Sequence, residues 1–187
     1  MTALFLVRHA ETTDNELGIV SGVSRDVGLS ENGKFQCKQL RRQLEKESFD
    51  RVISSPFRRA KETCLLTGFS PTCIEEIFEV REKSFGVYEG RAVLDYEDSV
   101  KSLTMEALYN YRLDGGESFF DLHQRVKEFL RGFLHFEKRT IVFSHECFIR
   151  CAVAHVKGMP FDRWLEIPQR NAGIVEIPFS AIAVQYS

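Results

Sequence analysis

Two apolar runs in this sequence end in the same way. Residues 4–7 lead into Arg8 and His9 in "LFLVRHAET", and residues 140–143 lead into Ser144 and His145 in "TIVFSHECFIRC". A third run, Val52 and Ile53, gives way to "SSPFRRA", which carries Arg58 and Arg59. A guanidinium presents a planar fork of donors that matches phosphate oxygens, and an imidazole can donate a hydrogen bond or attack phosphorus. Together these residues have the chemistry of a phosphate site. Singly they do not, because an arginine pair on a helix is ordinarily a solvated face. His123, His135 and His155 close no apolar run and are read as surface or core residues.

The elements that would position them follow from hydrophobic spacing. Residues 4–8 and 140–144 are apolar on both faces, as in strands of a parallel sheet covered by helices. Residues 30–46 place Phe35, Leu40 and Leu44 at helical spacing behind Ser30 as N-cap, after a long polar loop. Residues 52–55 read as a strand, and Pro56 suits the first turn of a helix reaching Gly68. Phe119, Leu122, Val126, Phe129, Leu130 and Phe133 mark the strongest amphipathic helix, opened by Ser118 with Asp121 three residues on. A helix is expected over 148–156, and closing strands over 173–177 and 181–186 with Pro178 between them. Residues 94–113 read as helical and able to cover a site. Alternating strands and helices with crossovers imply an α/β fold, a three-layer α/β/α sandwich around a mostly parallel sheet. In such sheets the ligand crevice lies at the carboxyl ends of the strands, where the polar groups stand.

Composition narrows the function classes. The 187 residues are expected to form one domain, and a net charge of −2 offers no electrostatic case for nucleic acid or an anionic membrane. Five cysteines, with no CxxC pair, read as reduced thiols of a cytoplasmic protein and suggest no structural zinc. The N-terminal apolar run is too short for a signal segment or a membrane span. Phenylalanine occurs 16 times. Phe85, Phe119, Phe120, Phe133 and Phe136 are assigned mainly to core and helix faces, and an exposed subset could form a homodimer surface.

With these motifs in order, the chain resembles the histidine phosphatase superfamily, the phosphoglycerate mutase-like proteins, along nearly its whole length. "LVRHAET" is similar to the family's nucleophile motif, "SSPFRRAKET" to its second arginine motif and "REKSFGVYEG" to its acid/base motif. "GGESF" resembles a motif upstream of the long helix, and "FSHECFIRC" the second-histidine motif. The resemblance implies that His9 is the nucleophile and forms a phosphohistidine. It implies that Arg8, Arg59 and His145 clamp the phosphate, that Asn15 is a further donor, and that Glu82 is the proton donor. Ser21 and Gly22 lie where the family often contacts the substrate beyond its phosphate. No metal or other cofactor is implied, because arginines and a histidine take the electrostatic role.

The chain departs from the family after the second histidine, where Glu146 and Cys147 replace a common Gly-Gly pair. That context is similar to the bisphosphatase branch acting on fructose-2,6-bisphosphate. A pocket-facing Glu146 carboxylate would disfavour highly anionic substrates, whereas an outward one would leave its backbone N–H to contact phosphate. The loop "GVSRDVGL" has Gly28 where proline is common. "FGVYEG" and the short chain favour a phosphatase acting on a small phosphorylated metabolite. Alternatives are a mutase, a phosphohistidine protein phosphatase, and a catalytically silent sensor of phosphorylated ligands.

Overall fold

The computed structural model describes residues 3–134 and 138–186, so His135 and Phe136 lie outside the described residues. Five strands, β1 (Ala3–Arg8), β2 (Arg51–Ser54), β3 (Ile74–Glu76), β4 (Thr140–Ser144) and β5 (Ile174–Pro178), form one sheet in the order β3-β2-β4-β1-β5. The first four run parallel, and β5 is antiparallel to β1. Arg8 pairs in register with Ser144, and Ser54 with Phe143, so three strands end level at one edge.

Alternation along β1 explains the layers. Leu4 and Leu6 join one core with Ile53, Val142 and the buried faces of α6 (Phe119–Arg131) and α7 (Glu146–Val156). Phe5 and Val7 join a second core with Ile141, Phe143 and residues of α2 (Glu31–Leu44) and α3 (Arg58–Leu66). Side chains two apart on a strand share a face, so a doubly apolar strand needs helices on both sides. The sandwich therefore has three layers.

Four local expectations change. The polar loop holds a short helix, α1 (Thr13–Leu17), opened by a Thr12 and Asn15 capping box. Helix α3 starts at Arg58 with Phe57 as its N-cap, two residues beyond Pro56. The segment 94–113 forms two short helices, α4 (Val93–Val100) and α5 (Met105–Asn110). The strand expected over 181–186 is instead α8 (Phe179–Val184). There Phe179 and Ile182, three residues apart, are buried while Val184 is exposed. A strand would have put Ile182 and Val184 on one face.

Candidate active site

His9 follows β1 directly, and its imidazole is buried. Its Nδ1 lies 2.8 Å from the Ala10 carbonyl oxygen. A carbonyl only accepts, so Nδ1 carries the ring proton and the neutral ring keeps a lone pair on Nε2. Burial, then Arg59 and Arg8, push the His9 pKa well below 6.5. The backbone is braced by Ala172 N–H and Asn171 Nδ2, each donating to the His9 carbonyl at 3.2 Å.

Arg59, on the first turn of α3, is 1% exposed. Its Nε donates to His145 Nδ1 at 3.2 Å, its Nη1 to the Arg25 carbonyl at 3.2 Å and its Nη2 to the Gly22 carbonyl at 2.6 Å. Three of its five N–H groups are thus engaged and two remain. Because Nδ1 of His145 accepts, its proton sits on Nε2, which donates to Ser55 Oγ at 2.8 Å. Both nitrogens of His145 are occupied. This fully buried ring fixes the Arg59 fork. Burial, with Arg59 next, also lowers its pKa well below 6.5.

Arg8 donates through Nη1 to the Gln169 carbonyl at 2.5 Å and pairs through Nη2 with Glu146 at 2.6 Å, while its buried Nε has no partner among the described residues. Glu146 also holds Arg150 at 2.6 Å, so its carboxylate lies on the pocket side, between two guanidiniums. Asn15 accepts at Oδ1 from Thr12 N–H and from Asn171 Nδ2, which turns its own amide donors toward the cavity it lines. Ser21 lines the same cavity, with its hydroxyl donating to Asp14 at 3.0 Å. Gly22 needs its lack of a side chain. Its φ is +57°, and a Cβ would stand 2.1 Å from Glu89 Oε1.

Glu82 is 8% exposed and accepts from the backbone N–H of Lys83 at 2.8 Å and of Cys147 at 3.1 Å. Burial raises its pKa above 4.5, and nearby Glu146 adds to the rise against Arg59 and these two bonds. Its backbone is fixed from behind: Ser144 Oγ donates to the Val80 carbonyl, and Arg125 reaches the carbonyls of Glu79, Arg81 and Glu82. Glu117, of the "GGESF" motif, pairs with Arg81 and Arg125 at 2.9 Å and accepts from Ser84 N–H. That motif therefore positions the acid segment. Sequence reading missed Ser55, Gln169, Asn171 and Arg125, and the Ala10 carbonyl carries no sequence signal at all.

Arg8, His9, Asn15, Ser21, Gly22, Arg59, Glu82 and Glu146 all border one cavity of about 420 Å³. Its far wall comes from α4 and α5, with Val93, Tyr96, Met105 and Leu108 on it. His123 and His155 lie elsewhere, hydrogen-bonded to each other at 3.1 Å and, through His123, to Tyr109. Among the described residues no group of three or more His, Cys, Asp or Glu side chains is placed to hold a metal ion. No helix among them is long and apolar enough to cross a membrane.

The buried histidines make stability pH-dependent. Below about pH 6.5 the unfolded chain binds protons at His9 and His145 that the folded chain refuses, so stability falls as pH decreases toward the lowered native values. The slope is about 1.4 kcal/mol per pH unit for each histidine. Glu82 acts oppositely, so the informative quantity is the difference between the intact protein and His9→Gln in urea midpoint against pH. The intact protein should show the steeper loss on acidification; identical slopes would mean His9 titrates at its ordinary value.

A neutral buried imidazole beside two arginines with donors to spare, at the carboxyl edge of a parallel sheet, defines a phosphoryl-handling enzyme. The chain belongs to the histidine phosphatase superfamily (branch 1), whose family model matches residues 4–184. It is 31% identical over 180 residues to phosphoserine phosphatase 1 of Hydrogenobacter thermophilus, covering 92% of this chain and 84% of that one. It is 30% identical over 170 residues to the adenosylcobalamin/alpha-ribazole phosphatase of Escherichia coli, covering 84% and 80%. Its fold matches phosphoserine phosphatase of Entamoeba histolytica with a TM-score of 0.81 at 24% identity, over 96% of this chain and 92% of the other. The α/β fold is thus the phosphoglycerate mutase-like one, and the protein is an enzyme of the histidine phosphatase type.

Proposed function

We propose that this protein hydrolyses a small phosphomonoester without a metal ion, through a phosphohistidine on His9. The observation that carries the reading is the bond from His9 Nδ1 to the Ala10 carbonyl, which leaves the Nε2 lone pair free for attack. Arg8, through its unpartnered Nε, and Arg59, through its two remaining N–H groups, offset charge on the phosphoryl oxygens in the transition state. Asn15 adds a donor, and His145 holds the Arg59 fork.

Glu82 then performs two proton transfers. Burial favours its protonated form, and that carboxyl gives its proton to the departing alkoxide as the P–O bond breaks and the Nε2–P bond forms. As a carboxylate it next takes a proton from the water that attacks phosphorus, and His9 leaves with its electron pair. Water is the acceptor here. The phosphatase names of relatives covering most of this chain support hydrolysis over transfer to a second metabolite.

The test is acid- and base-quench trapping with a radiolabelled phosphomonoester in the presence of EDTA. Base-stable, acid-labile label on the peptide containing His9, with phosphate released at the same EDTA concentration, is the expected result. Turnover without such label would point to direct attack by water. Loss of turnover with EDTA, restored by a divalent cation, would overturn the metal-free reading.

A further inference from the structure

The cavity is two environments in one. At its floor stand Arg8, His9, Arg59 and Glu82; the remainder is walled largely by apolar side chains, among them Phe85, Val93, Val100, Leu103, Met105 and Leu108. Val93 and Met105 are 36% and 47% exposed, and they face a concave space continuous with the phosphate floor. Sites that enclose a ligand's body have this composition, with a few placed polar groups and an apolar lining.

Charge in the upper part points the same way. Beyond Arg8 and Arg59 the cavity's cations are Arg150 and Lys101, and each already has a carboxylate partner. Arg150 pairs with Glu146 at 2.6 Å and donates to the Ile167 carbonyl at 3.0 Å; Lys101 pairs with Asp98 at 3.0 Å. Glu97 and Glu146 also border the space. A second phosphate or a carboxylate on the substrate would meet these acidic groups without an unpaired guanidinium to receive it, and desolvating it there would be costly.

We propose that the substrate is a phosphomonoester bearing one phosphate and no other anionic group, whose alcohol is bulky and apolar and fills the chamber under α4 and α5. This rests on the phosphatase reading above for its chemistry, and on the chamber alone for its selectivity. Small doubly acidic phosphomonoesters are then poor substrates. The apolar alcohol leaves water behind as it enters and, by filling the chamber, shields the clamp from solvent.

Two measurements separate the chamber from the chemistry. The first is the dissociation constant, by calorimetry, of a series of primary alkylphosphonates from ethyl through hexyl to 2-naphthylethyl, none of which can be hydrolysed. Affinity should rise by about fourfold for each methylene buried. Leu103→Asn and Met105→Asn should flatten that gradient. The second is kcat/KM for phosphate release from the matching alkyl phosphates, phosphoserine and 3-phosphoglycerate. The alkyl esters share nearly the same leaving-group acidity, so a rising series reports chamber filling rather than chemistry.

A rising series in both assays, with phosphoserine and 3-phosphoglycerate below the hexyl ester, is the expected result. A flat phosphonate series, or a preference for the two acidic metabolites, would overturn the chamber assignment whether or not phosphate is released. A phosphonate gradient without any hydrolysis would keep the chamber and overturn the phosphatase reading.

Discussion

His9→Ala should abolish turnover, with kcat falling by on the order of 10⁵-fold or more, because it removes the atom that bonds phosphorus. No neighbour can replace it. His145 is the nearest imidazole, with ring centroids 5.3 Å apart, yet its Nδ1 accepts from Arg59 and its Nε2 donates to Ser55. The substitution deletes a buried ring whose one hydrogen bond among the described residues is to the adjacent carbonyl, so the fold should persist and phosphonate binding should survive. Steady-state phosphate release, circular dichroism and phosphonate calorimetry on the same preparation check all three. Retained turnover in a folded His9→Ala variant would remove His9 as the nucleophile.

Glu82→Gln should lower kcat/KM by about 10² to 10⁴-fold for alkyl phosphates and leave it nearly unchanged for p-nitrophenyl phosphate. The difference follows from the leaving group: an alkoxide must be protonated as it departs, whereas nitrophenolate is stable without a proton. The second half-reaction still needs a base. With p-nitrophenyl phosphate the variant should therefore release a burst of nitrophenol and then slow as phosphoenzyme accumulates. pH adds an independent sign. Burial raises the Glu82 pKa, so kcat/KM for alkyl phosphates declines as pH rises through that raised value, and the decline should be missing in Glu82→Gln. Equal losses on both substrate types, with no burst, would assign Glu82 a purely structural role.

The chamber and the catalytic floor are read with different ease from the sequence, for a physical reason. Arg8, His9 and His145 were legible because a strand apolar on both faces must be buried, and a polar residue closing it must lie at the sheet's edge. The Arg58 and Arg59 pair is a candidate by its place after the second apolar run, whereas the choice of Arg59 and the candidacy of Glu82 rest on the order of motifs along the chain. Neither spacing nor composition could separate Arg59, buried at 1% exposure, from Arg58, which sits outside and pairs with Glu62. The helix α8 was misread as a strand because six residues of mixed apolar pattern satisfy both periods, and only packing of Phe179 and Ile182 against the core decided between them. The short edge strand β3, "IEE", carried too little apolar pattern to be seen at all.

The sequence by itself determined the layered α/β architecture, the strand ends that hold the histidines, and the family whose motifs the chain carries. These are consequences of local periodicity and of residue types in a fixed order. Tertiary structure decided which nitrogen of His9 holds the proton, because that depends on a backbone carbonyl that every residue possesses. It decided that His145 serves Arg59, and that Glu146 turns inward to lie between Arg8 and Arg150. It also folded α4 and α5 over the phosphate floor as an apolar wall. Hydrogen-bond partners and cavity walls are assembled from residues distant along the chain, and their meeting is fixed only when the whole core packs.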